Sequence, residues 1–251
     1  MAPRPAPDSP PPPPAVQRLT IRYAKRSKLR FASHRDIARA VERGVRKAGL
    51  PVAYSAGFSP HPKISYSGGA PTGAASEAEY LEISLTALAD PDDVRKRLDA
   101  ALPDGIDVIE VTDQAQAPES RLEVSQWQVE LPGVAADQAM RAVAAFLAAD
   151  TAEVERLTSK GVRRLDARAA VASMELDRRA AQERDAGCAI LRMVVRHVTP
   201  AVRPDDILVA LRGMSDLAPS SPPLVTRLAQ GPASPESGAI AGTGGAGGTD
   251  G

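Results

Sequence analysis

The sequence predicts an α+β fold made of two successive units. Short segments with apolar residues at every second position are bounded by Gly and Pro, which is the pattern of half-buried strands. Longer segments between them carry apolar residues at helical spacing. The rhythm of strand, helix, strand, strand, helix, strand runs up to residue 113 and is taken up again after residue 120. Two tandem ferredoxin-like (βαββαβ) units are the architecture this order favours.

Taken in order, Leu19, Ile21 and Tyr23 alternate with Arg18, Thr20 and Arg22, a strand with a basic outer face. Arg26 to Lys28 turn the chain, and Leu29 to Ala32 are expected to return as a second strand. Ser33 with Asp36 three residues later has the form of a helix cap. Ile37, Val41, Val45 and Ala48 then form an apolar stripe, and Gly49 with Pro51 ends the helix. Val52 to Ser55 and Ile64 to Ser67 read as short strands, Gly57 to Pro62 as a rigid loop, and Gly68 to Gly73 as a flexible one. Glu77 to Thr86 is a strand with Leu81, Ile83 and Leu85 on one face. Asp90-Pro91 opens a helix reaching about Leu102, because an acidic cap and a proline suit the first turn. Ile106 to Val111 completes the first unit.

In the second unit, Leu122 to Leu131 is a strand and Val134 to Ala149 a helix striped by Ala139, Val143, Phe146 and Leu147. Ala152 to Thr158 and Ala189 to Val198 are strands, Pro204 to Arg212 a helix, and Leu224 to Ala229 a last strand. Residues 159 to 186 have no clear periodicity. The expected boundaries are a disordered Pro-rich arm at 1–16, units at 17–113 and 121–230, a linker at 114–120 and a Gly-rich disordered tail at 231–251.

Composition bounds the chemistry. Cys188 is the single cysteine, so the chain forms no internal disulfide and cannot cradle an iron–sulfur cluster by itself. No apolar run approaches a membrane span and no secretory leader opens the sequence, so a cytoplasmic protein without membrane contact is expected. The formal net charge of +0 hides two poles. Between Arg18 and Lys63 twelve basic side chains face only Asp36 and Glu42, whereas from Ile64 to Glu130 four basic side chains face fourteen acidic ones. The basic pole attracts polyanions, of which nucleic acid is the commonest in a cytoplasm; a solvated face paired with the acidic half is the plainer alternative.

The stretch from Phe31 to Lys63 is the densest in chemistry and holds His34 and His61, two of the three histidines. His34 follows the Ser33 cap, where free backbone N–H groups favour an anion. His61 lies between Pro60 and Pro62 beside Lys63, with Phe58 as a stacking surface. His197, in strand phase with Leu191, Met193 and Val195, reads as a core histidine. Gly68 to Gly73 lacks the Lys-Ser/Thr ending of a P-loop, and the scattered histidines and carboxylates define no metal site or cofactor.

Phe31-x-Ser33-His34-x-Asp36, then Tyr54-Ser-x-Gly57-Phe58-Ser-Pro60-His61-Pro62-Lys63, then Gly73 and Ser76-Glu77-x-Glu79-Tyr80 resemble the radical-SAM-linked protein family. The likeness extends more loosely to Val225-Thr-Arg227-Leu-Ala-Gln230-Gly231. This is a domain of unknown function, found alone or fused behind a cobalamin-binding radical SAM protein. It implies a radical SAM partner acting in trans, in RNA modification or processing.

Three readings follow. The first is a non-catalytic protein that binds or presents RNA, with Arg22, Arg30, Arg35, Arg39 and Lys63 on phosphates and Tyr54 and Phe58 stacking on bases. The second is a metal-independent endoribonuclease resembling CRISPR-associated RNA-processing enzymes, with His34 and His61 as base and acid and Lys63 steadying charge. The third is a protein docking module using the two charge poles.

Overall fold

The computed structural model describes residues 12–113, 122–159, 161–178, 180, 187–234 and 240. The linker at 114–120, most of the expected arm and most of the expected tail lie outside them. The described chain is a mixed α+β protein with a mostly antiparallel sheet and five helices. It divides into two compact units, residues up to 72 with those from 78 to 119, and residues 73–77 with those from 120 onward. No helix among the described residues is long and apolar enough to cross a membrane.

The first unit runs β1 (Gln17–Lys25), α1 (His34–Lys47), β2 (Ile64–Ser67), β3 (Ala75–Leu85), α2 (Pro91–Ala101) and β4 (Ile106–Thr112). The strands lie in the order β4-β1-β3-β2. Alternation sends Leu19, Ile21 and Tyr23 of β1 and Leu81, Ile83 and Leu85 of β3 into one core, where Ile37, Val41 and Val45 of α1 and Val94 and Leu98 of α2 meet them. Arg18, Glu82 and Ser84 fall on the other side of the sheet by the same alternation.

The cap of α1 forms as expected: the Asp36 carboxylate accepts the Ser33 N–H at 3.1 Å and its hydroxyl at 2.6 Å, while the Asp36 N–H donates to Ser33 Oγ. At the other end Gly49 takes a φ of 61°, and Arg97 of α2 donates to the carbonyls of Ala48 and Gly49. Residues Ser27–Phe31 form a 3-10 turn in place of the expected return strand. Ser27 has a φ of 50°, and the N–H groups of Leu29 and Ala32 bond to carbonyls three residues back, so the segment satisfies itself locally. Val52 and Tyr54 make isolated bridges to Leu85 and Pro62, so that segment is no continuous strand.

The second unit contains β5 (Val124–Pro132), α3 (Ala136–Ala148), β6 (Glu153–Thr158), β7 (Gly161–Asp166), α4 (Ala167–Ala170), β8 (Val171–Leu176), β9 (Cys188–Arg196), α5 (Pro204–Met214) and β10 (Leu224–Gly231). Its sheet has the antiparallel order β10-β5-β9-β8. The first residues of β3 extend it, Ala75 and Ser76 pairing with Thr226 and Arg227, which explains why residues 73–77 group here. β6 and β7 form a separate hairpin held to α5 by an Arg156–Asp206 ion pair of 2.7 Å that is largely buried. The segment from 159 onward thus holds β7, α4 and β8; its strands are short and β7 is mostly exposed, which is why no periodicity shows in the sequence.

Candidate functional site

The basic segment lies in the first unit, and three parts of it reach the surface. The first is the outer side of α1. With Ile37, Ala40, Val41, Gly44 and Val45 buried, Arg35, Arg39, Arg43, Arg46 and Lys47 are left exposed. Positions 35, 39, 43 and 47 advance by four residues each, a stripe about 18 Å long at 1.5 Å per residue. Arg46 pairs loosely with Glu42 at 3.9 Å, whereas Arg39, Arg43 and Lys47 have no ion pair among the described residues. Asp36 at the head of the stripe has its pKa lowered, first by the Ser33 hydroxyl, then by the Ser33 N–H, with Arg39 and Arg35 adding to the effect.

The second part is the N-terminus of α1. The His34 ring meets Tyr66 edge to face, with centroids 5.2 Å apart, and Tyr66 directs its hydroxyl toward the Ala38 carbonyl. Burial, with Glu42 nearby, raises the Tyr66 pKa, so the phenol stays protonated. His34 also borders the glycine-rich loop, a Cβ on Gly69 falling 3.5 Å from the His34 ring. That loop is fastened from below. Lys25, 3% exposed, donates to the Ala70 and Pro71 carbonyls, and Glu79, 4% exposed, accepts the Ala70 N–H. Glu79 is therefore a loop anchor, and Gly73 supplies the φ of 98° with which the chain leaves the loop.

The third part is the hairpin from Tyr54 to Pro62. These two residues bridge, Ser55 N–H donates to the His61 carbonyl, and His61 N–H donates to Ser55 Oγ. Gly57 turns with a φ of 125° and leaves Phe58 77% exposed at the tip. Pro60, His61 and Lys63 are exposed as well. Phe31 is 60% exposed and carries the Arg30 guanidinium over its ring at 4.7 Å, with Arg30 Nε buried and without a hydrogen-bond partner. Of the three phenylalanines in the chain, only Phe146 is buried.

The remaining candidates are less available. Arg22 is paired with Glu110 at 3.3 Å, its register partner on β4, and Tyr54 is half-buried. No contact joins His34 to His61 among the described residues. His34 lies beside Glu79 through Gly69, whereas the base of the His61 hairpin bonds to Ser84 through Ala53 and Lys63. Those two attachments are about 17 Å apart along β3 at the usual strand rise.

Two features of this unit have weak or no sequence signals: Tyr66, marked only by its phase with Ile64 in β2, and a shallow pocket of about 330 Å³. Arg18, Lys63, Ile64, Ser65, Glu82 and Ser84 line that pocket, drawn from three segments that no linear motif joins. In the second unit the buried Arg227 donates to Ser76 and Gln230 and stacks over Trp127, so these motif residues act as a structural knot.

Among known proteins, a family model described as "Uncharacterized protein conserved in bacteria (DUF2344)" matches residues 18–204. No curated protein matches the chain.

Proposed function

The chain belongs to that bacterial family, and we propose that it is a non-catalytic protein that binds RNA and presents it to a radical SAM enzyme acting in trans. The observation that carries the reading is the pairing, in one unit, of solvent-exposed Phe58 and Phe31 with exposed cations that have no ion pair among the described residues. An exposed phenylalanine at a rigid hairpin tip offers a face on which any base stacks, and neighbouring Arg and Lys side chains draw the phosphate backbone to it. Arg35, Arg39, Arg43 and Lys63 are the phosphate contacts, with Phe58 as the stacking platform. The radical SAM partner comes from the resemblance of the Phe31–Lys63 motifs, and a cytoplasmic site goes with it.

Both units are read as ferredoxin-like. The orders β4-β1-β3-β2 and β10-β5-β9-β8 suit two βαββαβ units, the second with the β6–β7 hairpin and α4 inserted. Such platforms suit RNA, though fold alone does not assign function.

Binding of fluorescent tRNA and rRNA fragments tests the proposal. Wild type should bind at about 50 mM salt, and Arg35→Ala/Arg39→Ala should weaken the complex by about tenfold or more. Phe58→Ala should cost about 1–3 kcal/mol. RNA recovered intact fits presentation, and RNA recovered cleaved would move the reading to the nuclease. No binding at low salt would leave a protein docking role.

A further inference from the structure

We propose that the pocket on the helix-free side of the first unit's sheet binds a guanine nucleotide. The proposal deepens the RNA reading and rests on it for one of two sources, a single residue of an RNA chain or a free mononucleotide. Arg18 comes from β1, Ile64 and Ser65 from β2, and Glu82 and Ser84 from β3, while Lys63 stands where the Phe58 hairpin rejoins the sheet. The volume, about 330 Å³, is at the small end of ligand sites.

The charges lining it are unspent. Arg18, Lys63 and Glu82 have no ion pair and no side-chain hydrogen bond to any described residue. A strand surface of this kind ordinarily pairs opposite charges across neighbouring positions, as Arg22 and Glu110 do on the same sheet. Two cations and two hydroxyls make a phosphate subsite. An ionised carboxylate accepts hydrogen bonds and donates none, so the ligand must bring donors to Glu82. Among the four bases, guanine alone carries two adjacent donors, N1–H and the N2 amino group, matched to the two oxygens of one carboxylate. Cytosine sets an acceptor beside its amino group, and adenine and uracil each offer one donor beside acceptors. Ile64, the register partner of the core residue Ile83, packs toward the helix side, and Phe58 is carried on the hairpin rising from the rim.

Calorimetric titration of the full chain with GMP, AMP, CMP and UMP tests this, alongside oligouridylate hexamers with and without one guanosine. GMP should bind more tightly than the other three by about tenfold. Glu82→Gln should abolish that preference. Arg18→Ala should weaken all four monophosphates by about tenfold and leave guanosine little changed. Preference for the guanosine-containing hexamer together with weak GMP binding assigns the site to RNA, and the converse assigns it to a free nucleotide. Equal binding of all four, or none, overturns the proposal. Absent mononucleotide and hexamer preference with tRNA still bound sinks the pocket and spares the RNA reading, whereas GMP bound with tRNA rejected does the reverse. Melting curves check both variants, and Lys63→Ala replaces Arg18→Ala if that variant fails to fold.

Discussion

His197 donates from Nδ1 to the Leu122 carbonyl and accepts the Ser125 hydroxyl at Nε2, 2.6 Å away. Since the carbonyl can only accept, this is the neutral Nδ1–H tautomer. Burial lowers its pKa below 6.5, the Leu122 bond works against that, and Arg227 adds to the lowering. The unfolded chain therefore takes up a proton before the folded one, so stability is full above the ordinary imidazole value and falls as pH drops through it. Thermal melts at about pH 7.5 and about pH 5.5 should show a larger loss for wild type than for His197→Gln. Equal losses would contradict this. Ser125, 1% exposed, spends its hydroxyl on this bond inside the fold. Sequence phase placed His197 in the core, but β9 ends at Arg196 and the ring lies one residue beyond, partly in solvent. The same phase, followed through Leu19, Ile21 and Tyr23, does send Lys25 inward, which a simple count of basic residues hides.

At the scale of elements, α1 was legible because its signals are local: a Ser33–Asp36 cap, an apolar stripe, and a glycine at the end. What α1 packs against was not. Gly44 sits against α2's end, a Cβ there falling 2.7 Å from a Leu102 methyl and 3.2 Å from its Cγ. A small residue lets the two helices approach. Alanine would push only the flexible tip of Leu102, but Gly44→Val should destabilise the fold by about 2 kcal/mol, read from urea unfolding. No change in midpoint would show that the helices separate freely. The 3-10 turn at Ser27–Phe31 is not legible in sequence for a related reason. A five-residue segment with two apolar side chains fits a strand as well as a turn, and its backbone bonds decide.

Across the whole molecule, the charge poles are the feature most visible in sequence and least visible in the net charge of +0. The structure splits the basic pole by use. Arg22 and Arg26 are taken up in ion pairs with Glu110 and Asp107, and Lys25 is buried beneath the loop. The α1 stripe and Lys63 stay exposed. The candidate contacts thus could be narrowed only once the acidic strand β4 was placed beside β1. In the proposed function these remaining cations hold RNA phosphates. The measurement that tests it most directly is the slope of log affinity for single-stranded RNA against log salt, for wild type and for Arg35→Ala/Arg39→Ala/Lys63→Ala. If each cation neutralises one phosphate, the triple variant should lower the magnitude of the slope by about 2. An unchanged slope, or affinity that does not respond to salt, would contradict the account.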